Sequence, residues 1–150
     1  MIAVIAYYSH KGKTANYARD MAMYLWSKGV SVRLSSISDF NREKLADADM
    51  LLLGCWTSGW FFFNQHPHKH WVEFAKTLRD SDISGRLLLF STYKIRTGSM
   101  FRRMEKALGV KSRTIRLQSK TGFLSTEDKQ AIDSYLARLK LTTKNKNYGE

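Results

Sequence analysis

Residues Ile2-Ala3-Val4-Ile5-Ala6 form a short, unbroken apolar run closed by Tyr7 and Tyr8. A run of this length without polar alternation suits a strand buried on both faces, as in a parallel sheet. It breaks into Ser9-His10-Lys11-Gly12-Lys13-Thr14, a polar turn with one glycine. Beyond the turn, Ala15, Ala18, Met21, Ala22 and Leu25 recur at three- and four-residue spacing, the inner stripe of a helix. Strand, turn and helix in that order aim backbone amides at an anion on the helix N-terminus. Ser9 and Thr14 add hydroxyls, and Lys11 and Lys13 add charge. The stretch reads as a phosphate cradle, although Ser, Gly and Lys are also ordinary turn residues. Two sharper motifs are excluded. A Walker A loop requires glycine five places before the Gly12-Lys13-Thr14 tail, where Tyr7 stands. A dinucleotide fingerprint requires three spaced glycines, and Gly12 stands alone. A phosphate held here is a monoester rather than a triphosphate or pyrophosphate.

The same alternation continues along the chain. Val30, Val32 and Leu34 alternate with Ser31, Arg33 and Ser35 and predict a half-buried strand after Gly29. Asp39 to Asp49 predicts a short helix with Leu45 and Ala46 inward. Met50 to Leu53 is a second apolar run ending at Gly54, followed by a long aromatic loop. Pro67 suits the first turn of a helix reaching about Leu78. Ser84-Gly85 punctuates, and Leu87 to Phe90 is a third buried run. A polar loop from Thr92 to Ser99 leads to a helix over Met100 to Leu108, with Gly109 past its end. Val110 to Leu117 predicts a fifth strand. Ser125 caps a last helix, with Glu127 and Asp128 in its first turn and Ile132, Leu136 and Leu139 inward. From about Leu141 the chain is polar and expected to fray. Five strands alternating with helices predict an α/β three-layer sandwich with a five-stranded parallel sheet and right-handed crossovers. No linker, repeat or low-complexity block divides residues 1–150, so a single domain is expected.

A chain of 150 residues with 43% hydrophobic and 13% aromatic content buries a proper core and is not disordered. No apolar stretch reaches the roughly 20 residues of a membrane span. Met1-Ile2-Ala3-Val4 lacks the basic start of a signal peptide. The lone Cys55 allows no internal disulfide. These features predict a soluble, cytoplasmic protein. Lys and Arg outnumber Asp and Glu by 25 to 13, a net charge of +12. Such a balance suits an acidic protein, an anionic membrane surface or nucleic acid. The positive residues are spread, with modest clusters at Lys94/Arg96, Arg102/Arg103/Lys106 and Lys144/Lys146. Diffuse charge of this kind reads as a solvated face rather than a reading head, which disfavours nucleic acid.

In open α/β sheets ligands sit beyond the strand carboxyl ends, at the switch in strand order. The loops after the first, third and fourth strands are therefore the candidates. The third-strand loop reads Gly54-Cys55-Trp56-Thr57-Ser58-Gly59-Trp60-Phe61-Phe62-Phe63. So many rings call for a cover: a stacked planar ligand, the sheet edge or a partner chain. The fourth-strand loop, Ser91 to Ser99, offers Thr92, Tyr93, Lys94 and Gly98. Taken together, these loops resemble those of the flavodoxin-like family over nearly the whole chain. Ser9-x-Lys11-Gly12-x-Thr14 is similar to that family's first loop, a Thr/Ser-x-Thr-Gly-x-Thr pattern that holds the phosphate of FMN, with Lys11 departing where a hydroxyl is usual. Gly54, Thr57, Gly59 and Trp60 resemble its second loop, with Trp56 or Trp60 stacking on the flavin. Thr92, Tyr93 and Gly98 occupy the stretch that touches the flavin edge. The resemblance implies strand order 2-1-3-4-5 and FMN bound by Ser9, His10, Lys11, Gly12, Lys13, Thr14, Trp56, Thr57, Ser58, Gly59, Trp60, Thr92, Tyr93, Lys94 and Gly98.

The resemblance also implies electron transfer to a protein partner. Family members that carry electrons are typically acidic, whereas this chain is basic. Its partner is therefore expected to be an acidic redox protein bound in a salt-sensitive way, and peripheral association with an anionic surface is also open. Positive charge at Lys94 and Arg96 is expected to favour the reduced, anionic flavin. A flavodoxin-type oxidoreductase acting on an anionic organic substrate, similar to protoporphyrinogen oxidases or quinone reductases, and a flavin-free binding module are the alternatives. His66, His68 and His70 alternate, but i, i+2 side chains diverge at a helix start and no carboxylate or thiol lies among them; a metal is not expected there. A crevice or surface role remains for them. Cys55 lacks the arginine six places on that a phosphatase loop requires, because Phe61 stands there.

Overall fold

The structure, a computed structural model, describes residues 1–111 and 114–149. Its principal sheet is built from β1 (Ile2–Tyr8), β2 (Ser31–Ser36), β3 (Met50–Trp56), β6 (Leu87–Thr92) and β7 (Ile115–Ser119). These five strands are parallel, in the order β2-β1-β3-β6-β7. A hairpin of β4 (Ser58–Trp60) and β5 (Phe63–His66) makes a separate two-stranded sheet. The helices are α1 (Lys13–Ser27), α2 (Lys69–Thr77), α3 (Met100–Leu108) and α4 (Thr126–Tyr148).

The unbroken apolar runs are the central strands, because each of their residues faces a helical layer. On one face Ala3, Ile5, Leu52, Leu88 and Phe90 pack against Tyr17, Met21 and Leu25 of α1 and Ile132 and Leu136 of α4. On the other, Val4, Leu51, Leu53 and Leu89 pack against Trp71 and Ala75 of α2 and Met100 and Met104 of α3. Each Val, Leu, Ile, Met or Phe among them contributes about 1.5–3 kcal/mol on full burial. The two central registers, Ile5 opposite Leu52 and Leu53 opposite Leu89, align all carboxyl ends on one edge. A buried bond ties the α1 and α4 layer together: Tyr17 donates its hydroxyl to Asp128 Oδ2 at 2.8 Å. Burial first, and this bond second, push the Tyr17 phenol well above its ordinary range.

Several boundaries differ from expectation. Two 3₁₀ turns, Ile37–Asp39 and Arg42–Leu45, replace the helix expected over Asp39 to Asp49. The turn ends at Leu45, and the chain beyond it buries Leu45 and Ala48 and leaves Ala46 exposed. Gly54 lies inside β3 rather than ending it, since the Phe90 ring occupies the space a Cβ would need. The long aromatic loop is instead the β4–β5 hairpin. Pro67 precedes the helix rather than opening it. His68 is the N-cap of α2, its ring nitrogen accepting from the His70 amide at 3.2 Å. The expected strand over Val110 to Leu117 begins at Ile115, and residues 112 and 113 of that range lie outside the described residues. Ser125 and Asp128 form a capping box at the start of α4. The tail from Leu141 continues α4 to Tyr148 with its side chains exposed, since a helix once nucleated propagates without further contacts.

Candidate functional site

The loops after β1, β3 and β6 enclose a crevice of about 510 Å³ at the carboxyl edge of the sheet. His10, Lys11, Lys13 and Thr14 line it from the first loop, and Trp56, Thr57, Ser58, Gly59 and Trp60 from the second. Thr92, Tyr93 and Lys94 line it from the third. Its size falls in the range of small-molecule sites, about 300–1,000 Å³. Four further lining residues, Phe61, Gln65, Ile95 and Arg96, fall outside the expected set. Phe61 and Gln65 enter because the second loop folds back as a hairpin, for which the sequence carries no Asn-Gly or Gly-Gly turn signal.

The hydroxyls of the first loop divide their work. Ser9 Oγ accepts from the amides of Gly12 and Ala15, each at 3.2 Å, and keeps its own proton to donate. Gly12 turns the chain at φ 90°, the left-handed region that a side chain disfavours. The first-turn amides of Lys13 and Thr14 have no partner within α1 and point out of its N-terminus. Ser9 itself borders a second, more open hollow beside Ser36, Ile37 and α2. Thr14 is almost fully buried, and its hydroxyl bonds the Thr92 hydroxyl at 2.7 Å, stitching the first loop to β6. Lys13 Nζ donates to the carbonyls of Lys120 (2.7 Å) and Tyr93 (3.2 Å), strapping three loops together. Desolvation, then Lys94 and Lys120, hold its ammonium below the ordinary lysine value.

In the second loop Trp56 is half-buried, with the His10 ring 5.2 Å away and the His68 ring 5.8 Å away, centroid to centroid. Trp60 stands on the hairpin, edge-on to Phe61 at 5.4 Å. Both indoles reach the crevice. Thr57 Oγ1 bonds Ser91 Oγ at 2.8 Å, and the Thr57 amide donates to the Thr92 carbonyl. Trp56 Nε1 and Ser58 Oγ are buried with no hydrogen-bond partner among the described residues. Such orphaned donors at a crevice wall fit a ligand that brings acceptors. Gly98 stands outside the lining; at φ 50° it lets the Gln65 amide pack where a side chain would sit. Gly54 likewise serves strand packing rather than ligand approach.

The histidines behave differently from expectation. His68 and His70 converge, their rings 4.9 Å apart, because the N-cap residue is extended and reaches back over the first turn. Tyr8 stacks on His68 at 4.9 Å, and His66 Nδ1 pairs with the Asn64 carbonyl at 2.7 Å. Among the described residues no group of three His, Cys, Asp or Glu side chains is placed to hold a metal. Cys55 is fully buried in β3, and desolvation pushes its thiol up to about 12, which removes it as a nucleophile.

A doubly wound parallel sheet in the order β2-β1-β3-β6-β7, with a crevice between the loops of β1, β3 and β6, is the flavodoxin fold. No protein-family model matches the sequence, and no curated protein matches it. Among solved structures, an archaeal flavodoxin superposes with a TM-score of 0.68 at 20% identity, covering 93% of this chain and 99% of its own. The Streptococcus pneumonia TIGR4 flavodoxin gives 0.68 at 16% identity, covering 95% of this chain and 99% of its own. The rubredoxin oxygen:oxidoreductase of Desulfovibrio gigas also gives 0.68, at 18% identity, over 93% of this chain but 36% of that larger one. At such identities the likeness establishes the fold.

Proposed function

We propose that the crevice binds FMN and that the protein passes electrons through it to a partner. The observation that carries this reading is the convergence on one crevice of Lys13 and Thr14 at the α1 N-terminus, two indoles, and partnerless polar atoms on Trp56 and Ser58, with Ser9 and Gly12 in the same turn but outside the crevice lining. Ser9, Gly12 and the first-turn amides of Lys13 and Thr14 would hold the phosphate. Trp60 and Tyr93, from opposite loops, would flank the ring. Thr14, Lys13 and Thr92 act indirectly, by fixing the loops that present those groups. When bound, the flavin supplies the redox chemistry, and the protein orients it and sets its surroundings. Lys11, Lys94 and Arg96 line the crevice, and no carboxylate does. That charge favours a negatively charged partner and salt-weakened binding.

The same positive lining favours a second reading, oxidation or reduction of an anionic organic molecule at the flavin edge. The visible spectrum of the purified protein, with titration of the apoprotein by FMN and by riboflavin, tests the first proposal. Flavin bands, and FMN bound far more tightly than riboflavin, are expected. No uptake of either would overturn the flavin reading. Turnover by the FMN-loaded protein of an anionic quinone in preference to a neutral one would select the second.

A further inference from the structure

We propose that the carboxyl-edge end of the molecule docks on an anionic lipid bilayer, with the tip of the β4–β5 hairpin seated among the headgroups. The first observation is the tip itself. Trp60, Phe61, Phe62 and Phe63 are consecutive and are 75, 63, 57 and 73% exposed. They are held outward rather than left loose. Phe61 adopts φ 43°, which is rare for a bulky side chain, and Asn64, a residue that tolerates this region, follows at φ 57°. The buried Gln65 braces this geometry: its Nε2 donates to the Phe61 carbonyl at 3.0 Å, and Ser99 Oγ donates to the Gln65 carbonyl at 2.7 Å. Neighbouring loops at the same end add exposed Ile95 and Phe123.

The second observation is charge. Residues 1–19, 50–72, 83–104 and 106–126, which contain the loops after β1, β3, β6 and β7, hold no Asp or Glu, whereas the fifth loop at this end, after β2, carries Asp39. Lys11, Lys69, Lys94, Arg96 and Lys120 are exposed there. The acids nearest this end lie on its β2 flank, where Asp39 follows β2 and Glu73 lines the hollow beside Tyr8 and Ser9, and at the start of α4 with Glu127; Asp49 is at the opposite edge, accepting from the Ile2 amide. Projecting aromatic side chains beside a cluster of exposed Lys and Arg are what the anionic headgroup layer selects, with rings in the interface and Lys/Arg over the lipid charge. An acidic protein surface answers the charge but offers nothing to a convex tip of four rings. Among the described residues no helix is long and apolar enough to cross a membrane, so the contact is peripheral.

The inference stands apart from the flavin reading, since Phe62 and Phe63 lie outside the crevice lining. The test is co-sedimentation of the full chain, with and without added FMN, using vesicles of phosphatidylcholine alone and of phosphatidylcholine with phosphatidylglycerol. Binding to the anionic vesicles only, weakened by salt, is expected in both states, accompanied in the FMN-free state by a blue shift of tryptophan emission. Phe62→Ser/Phe63→Ser should lower the partition coefficient by about tenfold or more, with an unchanged circular dichroism melt. Phe62→Leu/Phe63→Leu should retain most of the binding. Absence of binding at low salt overturns the proposal. Binding that the serine variant leaves unchanged also overturns it, as does retention on a polyglutamate resin without vesicle binding, which would assign this end to an acidic protein.

Discussion

Replacing Ser9 by alanine isolates the phosphate cradle from the rest of the crevice. Its Oγ accepts from the Gly12 and Ala15 amides at 3.2 Å each, so it braces the turn as a helix cap does. Losing a cap of this kind costs about 0.5–2 kcal/mol. The protein should tolerate that, because the Thr14–Thr92 and Lys13–Tyr93 bonds still hold the loop in place. The ordering cost then falls on whatever ligand must re-form the cradle. For FMN this predicts a rise in Kd of about 2- to 30-fold, larger if the Ser9 proton also donates to the phosphate. Riboflavin has no phosphate to fill the cradle, so its affinity should move little. Fluorescence-quenching titrations with both flavins, on wild-type and Ser9→Ala protein, read the difference directly. Equal losses for the two flavins, or no loss for either, would refute a phosphate at the α1 N-terminus.

Other expectations follow from the same geometry. Lys94→Gln/Arg96→Gln should shift the second-electron potential of bound FMN negative by about 40–90 mV, the worth of two exposed charges; a photoreduction titration that shows no shift refutes it. Tyr17→Phe removes a buried bond to a carboxylate and should cost roughly 1.5–3 kcal/mol in urea unfolding; a change under about 0.5 kcal/mol would mean Asp128 is satisfied without it. Gly54→Ala places a methyl where the Phe90 ring lies and should cost about 1–3 kcal/mol, with Phe90→Leu in the same chain recovering part of the loss in a thermal melt. Burial first, then His70 and its other basic neighbours, hold the His68 imidazole below its ordinary value of 6.5. The unfolded chain therefore takes up the proton first as pH falls, so stability should be level above about 6.5 and decline below it. His68→Gln should flatten that decline in chemical denaturation across the range, and an unchanged slope would assign it elsewhere.

The fold was legible where burial is two-sided. Met50 to Leu53 and Leu87 to Phe90 have no polar residue to place outward, and only a central parallel strand accommodates that pattern. Legibility failed where local geometry overrides composition. The β4–β5 hairpin turns through Phe61 and Phe62, and no residue at the turn announces it. Leu45 and Ala48 are buried because the helix stops at Leu45 and the chain turns back toward β3, which the apolar spacing does not announce. His68 and His70 diverge if both are helical and converge because one is a cap. Thr14 reads as a phosphate ligand by position, and its hydroxyl also pairs with Thr92, a partner 78 residues away that no local pattern reveals.

Charge shows the same limit in a different form. Counted along the chain, the lysines and arginines look scattered, and scattered charge argues against a dedicated surface. Counting where the acids are absent gives the opposite result. The gaps at 1–19, 50–72, 83–104 and 106–126 each span a strand and the loop that leaves it. In a parallel sheet those loops meet on one edge, so four separate gaps combine into a basic region, bordered on the β2 flank by Asp39. A moderate net charge thereby acquires a direction, with the crevice and the aromatic tip both inside it. The polarity is a product of topology acting on an unremarkable composition, and it becomes readable only after the βα order is known.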